Sequence, residues 1–355
     1  MFKIKRRKTR TVKIGSLKIG SGYPIAIQSM LKVPTKQING ALRQIKRLEG
    51  LGCDIVRLAI EDREDALAIK KIKQQVVLPL VADIHFDYRL ALTAIESGID
   101  KVRLNPGNIY KPQEVRAVIA AARSAHIPIR IGANSGSLRI KPKDVATALV
   151  KSVLDYLKIF KKDRFDNLVI SLKGSDTLAT IAAYEKMASA CDYPLHLGVT
   201  ATGLPLDGIV KSSVGIGMLL FKGIGDTIRT SLLGAPEQEV LVAQGLLNSL
   251  GLGSFGPDFI CCPTCGRCEV DLLEKAQKLQ TSILKIDRRK RRLAHYKIAV
   301  MGCVVNGPGE AREADVGIAF SKRKGVLFKK GKIIRTVDLE RGEEALFDLI
   351  KEEMA

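Results

Sequence analysis

The sequence predicts a (β/α)8 barrel followed by a smaller α+β domain, and three observations carry that prediction. A short apolar segment, a turn and a helical stretch recur eight times between residue 23 and about residue 232. After about residue 252 the composition shifts towards glycine, cysteine, lysine and arginine. The length of 355 residues, 46% hydrophobic and 27% charged, is enough for one large core and a smaller second one. The expected domains are therefore 1–252 and 253–355.

In chain order, TVKIGSLKIGSGYP (11–24) alternates polar and apolar residues around Gly15 and Ser16, so it reads as a hairpin plugging the barrel floor. The eight strand-like segments are YPIAIQSM (23–30), DIVRLAI (54–60), PLVADIHF (79–86), KVRLNP (101–106), IPIRIGAN (127–134), NLVISLK (167–173), PLHLGVT (194–200) and GDTIRTSL (225–232). Helical patterns separate them, for example PQEVRAVIAAARSAH (112–126) and TLATIAAYEKMASAC (177–191), and PEQEVLVAQGLLNSL completes the eighth unit. Alternating strands and helices force parallel strands with right-handed crossovers, and eight such units suit a closed barrel. A doubly wound open sheet is the alternative. In the second domain YKIAVMG (296–302), DVGIAF (315–320) and GVLFKKGKIIRTV (325–337) read as strands, and EEALFDLIKEEM reads as a closing helix.

The apolar stretch at 210–221 is broken by Lys211, serines and glycines, too short a run for a membrane span. The basic N-terminus lacks the apolar segment and cleavage site of a secretory signal, so a cytoplasmic location is expected. A net charge of +21 raises the question of nucleic acid, but aromatic residues are only 5% and do not interleave the basic runs. Solvated faces come first, weak polyanion contact second and a specific nucleic-acid site last.

In a barrel of this kind the site lies at the C-terminal ends of the strands. The polar residues there are Gln28, Ser29, Arg57, Asp83, His85, Arg103, Asn105, Arg130, Asn134, Lys173, His196, Thr200 and Arg229. So many cations at one partly buried mouth repel each other unless an anion sits between them, and the planar fork of arginine favours phosphate. GLGSFG (251–256) formally matches a dinucleotide fingerprint, but it follows a helix and precedes a strand, the reverse of the required context.

The seven cysteines are unevenly placed: Cys53 and Cys191 stand alone, Cys261, Cys262, Cys265 and Cys268 crowd together, and Cys303 follows beside a Gly- and Pro-rich turn. That pattern points to metal rather than to a disulfide framework. By spacing alone, Cys262, Cys265, Cys268 and Cys303 suit a tetrahedral zinc site as well as an iron–sulfur cluster.

The local sequences QSM (28–30), PLVADIHF (79–86), VRLNPGN (102–108), RIGANSGSL (130–138), SLKGSD (171–176), HLGVT (196–200), KSSVGIGMLL (211–220), GIGDTIRTSL (223–232), CPTCGR (262–267) and MGCVVNGPGEA (301–311) resemble the 4-hydroxy-3-methylbut-2-enyl diphosphate synthase family almost from end to end. The resemblance implies reductive ring opening and dehydration of 2-C-methyl-D-erythritol 2,4-cyclodiphosphate by two electrons. It implies a [4Fe–4S] cluster on Cys262, Cys265, Cys303 and Glu310, with Cys261 and Cys268 as bystanders. Arg57, Arg103, Arg130 and Lys173 match positions that grip the diphosphate, and Arg229 joins them at the rim. Asp83, His85, Asn105, Asn134 and His196 match polar positions near the substrate, with Asp83, His85, His196 and Glu310 expected in catalysis. Ferredoxin or flavodoxin is the implied electron donor, and a homodimer in which one subunit's cluster covers its partner's barrel mouth is the implied assembly. Two stretches depart from the family: Ala201 stands where a glutamate is usual, and Leu31, Lys32 and Val33 replace a threonine-rich run.

Overall fold

The computed structural model describes residues 3–138, 143–200, 202–287, 293–294, 296–304 and 311–354. The chain divides into two compact units, Met1–Gly253 and Ser254–Ala355.

The first unit begins with strands β1 (Val12–Ile14) and β2 (Leu17–Ile19), an antiparallel hairpin in which Val12 pairs with Ile19. The eight barrel strands follow: β3 (Ala26–Met30), β4 (Ile55–Ile60), β5 (Leu80–Ile84), β6 (Lys101–Leu104), β7 (Ile129–Asn134), β8 (Leu168–Lys173), β9 (His196–Leu197) and β10 (Thr227–Ile228). They form one sheet in the order β8-β7-β6-β5-β4-β3-β10-β9, parallel throughout. A parallel bridge from Ile170 to Leu195 joins the two ends, which makes the sheet a nearly closed barrel instead of an open doubly wound one.

Eight helices pack around it: α1 (Ile38–Gly50), α2 (Arg63–Lys73), α3 (Tyr88–Glu96), α4 (Pro112–Ser124), α5 (Val145–Lys162), α6 (Thr177–Ala190), α7 (Pro205–Phe221) and α8 (Pro236–Ser249). Their starts are written locally. Asp62, Asp87, Asp144 and Asp176 cap α2, α3, α5 and α6 by accepting a backbone N–H, and proline opens α4, α7 and α8.

Because side chains alternate across a strand, every second residue points into the barrel. The lowest inward layer, Ala26, Ile55, Val81 and Val169, packs against Val12, Ile14 and Ile19 of the hairpin in one apolar cluster. Further along the same strands the inward residues become charged.

The second unit holds one five-stranded sheet: β11 (Asp258–Cys261), β12 (Lys297–Met301), β13 (Val316–Phe320), β14 (Lys324–Lys329) and β15 (Lys332–Asp338), in that order. The first three strands run parallel and the last two antiparallel. The stretch 325–337, expected as one strand, is a hairpin. Lys330 and Gly331 both take positive φ, and that left-handed pair turns the chain back on itself. Among the described residues the helices of this unit are α9 (Leu272–Asp287) and α10 (Gly342–Met354), and Leu279, Ile283, Ile318, Phe320 and Leu346 belong to its core.

Candidate active site

The strand ends of the barrel surround a cavity of about 160 Å3 lined by Met30, Arg57, Asp83, His85, Arg103, Arg130, Asn134, Ser171, Lys173, Thr200, Arg229 and Ser231. Each comes from the inward-facing register of its strand or the loop just beyond it, so seven strands deliver polar groups to one point.

Two carboxylates organise the cations. Asp83 Oδ1 accepts from Arg103 Nη1 at 3.1 Å, while its Oδ2 lies 3.7 Å from Arg57 Nε and 3.3 Å from His85 Nε2. Burial alone would raise the Asp83 pKa, but Arg57 and Arg103 hold it well below the usual carboxylate range. Glu239, from α8, accepts from Arg229 Nε at 3.1 Å and Nη2 at 2.8 Å. Arg103 also donates to the carbonyl of Gly132 at 2.7 Å, where a Cβ would stand 2.5 Å from the guanidinium Nε. At Gly198 a Cβ would come within 2.7 Å of Lys173 Nζ, so glycine at these two positions gives the cations their room.

Arg130, Lys173 and Lys101 form no ion pair among the described residues. Arg130 Nη1 donates to Gln28 Oε1 at 3.2 Å, its Nε is unpartnered, and the fully buried Lys101 Nζ has no hydrogen-bond partner. Burial first, and then the neighbouring cations, push all three pKa values down, and the same causes bring Arg57 to about 10. A buried mouth with this excess of positive charge is suited to an anion, which would relieve both the repulsion and the desolvation.

Not every residue expected at the site lines the cavity. His196 sits in register with Thr227, which pairs with Ala26 of the floor; its Nδ1 is 2.8 Å from Thr227 Oγ1, and burial keeps it neutral. Asn105 holds the turn after β6, accepting from the Gly107 N–H at 3.1 Å and donating to Ser137 Oγ at 3.0 Å. Ser29 and Gln28 support Glu239 and Arg130. Ala201 and Glu310 lie outside the described residues. Met30, Ser171, Ser231, Lys101 and Glu239 were not anticipated. A period of two back from Arg103 would have found Lys101, whereas Glu239 lies on a helix and carries no strand-end signal.

None of the cysteines of the second unit is in a disulfide, and Cys262 and Cys303 follow the ends of the adjacent parallel strands β11 and β12. Cys268 is turned to other use: its Sγ lies against Gly302, where a Cβ would be 2.5 Å away, and is 3.3 Å from the carbonyl of Val270. No three Cys, His, Asp or Glu side chains among the described residues close round a single metal ion. The donor set that remains, the thiols of Cys261, Cys262, Cys265 and Cys303 in one unit, fits a thiolate-bound cluster by its chemistry.

Residues 9–244 match the family model described as GcpE TIM-barrel domain, and residues 258–352 match the GcpE protein C-terminal domain. The chain is 48% identical over 358 residues to a 4-hydroxy-3-methylbut-2-en-1-yl diphosphate synthase (flavodoxin) of Dehalococcoides mccartyi, covering 99% of each chain. It is 50% identical over 360 residues to the enzyme of that name from Bacillus cytotoxicus, covering 99% of this chain and 96% of the relative. Among solved structures, the Yersinia pestis dihydropteroate synthase shares the fold, with a TM-score of 0.53 at 11% identity over 68% of this chain and 98% of the other.

Proposed function

The chain belongs to the GcpE family along nearly its whole length, and from that premise we infer how its residues divide the work of the reaction. It is an oxidoreductase that opens the ring of 2-C-methyl-D-erythritol 2,4-cyclodiphosphate and removes water, with two electrons, to give 4-hydroxy-3-methylbut-2-enyl diphosphate. The observation that carries the assignment of the site is the barrel mouth, where cations outnumber the carboxylates that hold them.

The diphosphate is read onto Arg130 and Lys173, which have no carboxylate of their own, with Arg57, Arg103 and Arg229 presented as preset forks beside them. Asp83 cannot serve as an acid near neutral pH, because its arginines keep it ionised. It orients them instead and holds His85 at the cavity wall, 3.3 Å away, where an imidazole can pass a proton to a leaving oxygen. Asn134 lines the same wall and contributes a hydrogen bond to the substrate hydroxyls. His196 and Asn105 act from behind, on the floor and on the turn after β6.

A [4Fe–4S] cluster on Cys262, Cys265, Cys303 and Glu310 would supply electrons singly and a Lewis-acidic iron. The placing of Cys262 and Cys303 after two adjacent strand ends supports that ligand set, as does the packing of Cys268 against Gly302. Flavodoxin, the donor in the relatives' name, is the first choice over ferredoxin. The protein works as a homodimer in the cytoplasm on this reading; no helix among the described residues is long and apolar enough to cross a membrane.

Anaerobically purified protein with a chemical reductant, assayed for product from the cyclodiphosphate, tests the whole reading. Turnover that disappears in Cys303→Ser supports it. Full turnover in a protein with stoichiometric zinc and no iron would sink the cluster assignment.

A further inference from the structure

Glu239 is the most heavily engaged carboxylate of the barrel, although it lies on a helix outside the ring of strands. Its side chain is fully excluded from solvent. Oε1 accepts from Arg229 Nη2 at 2.8 Å, from Lys32 Nζ at 3.1 Å and from the Leu232 N–H at 3.3 Å. Oε2 accepts from Ser29 Oγ at 2.9 Å and from Arg229 Nε at 3.1 Å. The Glu239 carbonyl accepts from Thr230 Oγ1 at 2.6 Å. One residue of α8 therefore ties the rim of β3 to the rim of β10, strands that are neighbours in the sheet. Of all these groups only Arg229 faces the cavity.

A guanidinium bound by both its Nε and one Nη to a fixed carboxylate has its plane and its remaining N–H directions set before any ligand arrives. We infer that Glu239 is a positioning residue for the substrate reaction, acting through Arg229: it fixes the fork so that its free edge points into the mouth, with Lys32 and Ser29 holding the carboxylate still. Burial by itself would raise the Glu239 pKa, but Arg229, Lys32 and Ser29 keep it below its ordinary value, so the clamp stays charged at neutral pH.

Charge alone and positioning predict opposite signs. Removing a negative group beside an anion site strengthens anion binding by simple Coulomb attraction. Losing the orientation of Arg229 weakens it. The inference rests on the mouth being the diphosphate site, so the probe is inorganic pyrophosphate titrated calorimetrically into the full-length holoprotein.

Glu239→Gln is expected to weaken pyrophosphate binding and raise KM by about 10-fold, while in an Arg229→Gln background the same change alters either by less than about threefold, the non-additivity expected of neighbours acting as a unit. Partial unfolding lowers the number of binding sites and leaves Kd alone, so a merely structural role shows itself differently. Unchanged or tighter binding in folded Glu239→Gln, or equal losses in both backgrounds, overturns the inference. If that variant does not fold, Ser29→Ala removes one hydrogen bond from the carboxylate without stranding a buried cation. It is read in the same two backgrounds, with a loss of about threefold expected only where Arg229 is present. Wild-type protein that turns over substrate without binding pyrophosphate removes the premise about the mouth; a wild type that binds it, with Glu239→Gln unaltered, sinks the inference alone.

Discussion

At Lys173 a buried ammonium faces Arg57, Arg229, Arg130 and Arg103 without a carboxylate. Desolvation and those four cations lower its pKa, so its charge is lost at a lower pH than that of an ordinary lysine. Substrate affinity is therefore expected to fall with rising pH, starting below the ordinary lysine value of about 10.4. KM measured against pH should show that onset, and Lys173→Arg should move it upwards. Lys173→Met removes a hydrogen bond to a charged group, about 1.5–3 kcal/mol, which is roughly a 10- to 150-fold rise in KM.

Lys101 presents the same physics without a ligand to answer it. Its amine is fully buried beside Arg130 and Arg57, with no hydrogen-bond partner, and its pKa is lowered chiefly by burial. The unfolded chain then binds more protons than the folded one between the lowered value and about 10.4, so stability rises with pH through that window and is lost as pH falls through it. Lys101→Met keeps the apolar stem and removes the unpaired donor. It is expected to add about 1–3 kcal/mol, raising Tm by about 2–4 °C for each kcal/mol, and to flatten the dependence of Tm on pH between 7 and about 10.

Among the elements, the N-terminal hairpin packs its apolar face on the lowest inward layer of the barrel. Ile14 and Ile19 are fully buried against the lowest inward layer. Ile19→Ala should cost about 2–5 kcal/mol through lost burial and the cavity left behind. The measurement is a thermal melt beside a KM determination: the melt falls, and KM stays put because the mouth is at the other end of the strands.

Legibility varied by element for physical reasons. Every barrel strand falls within its expected segment, since a parallel strand covered on both faces reads as a continuous apolar run. The hairpin of β14 and β15 had a signal in Gly331, which interrupts the β-propensity of KKGKII, but the left-handed pair at Lys330 and Gly331 that turns the chain is visible only in the backbone. Glu239 was hidden because a helix residue reveals its inward direction only once the helix is docked.

For the whole molecule, the +21 charge is partly accounted for inside the barrel, where Lys101, Arg103, Arg130, Lys173 and Arg229 are buried. Of these, Arg103, Arg130, Lys173 and Arg229 line the cavity at the strand ends. The outer face of α7 has a different character: Leu206, Val210, Val214, Met218 and Phe221 are exposed at helical spacing. On the proposal of a homodimer this stripe is the apolar face available for self-association. Val214→Glu with Met218→Glu is expected to shift the protein from dimer to monomer in light scattering, with the fold kept because both side chains are already exposed. A dimer that persists unchanged removes α7 from the interface.

The eight βα units, the strand-end residues and the thiols of the second domain were written in the sequence, because apolar periodicity and local motifs depend on near neighbours along the chain. Which cations are claimed by a carboxylate was not. Asp83 takes Arg103 and Arg57, Glu239 takes Arg229 from an adjoining helix, and Arg130, Lys173 and Lys101 are left over. Those pairings are set by distances across a nearly closed barrel between residues far apart in the chain, and a few ångströms there separate a satisfied ion pair from a cation left without a carboxylate.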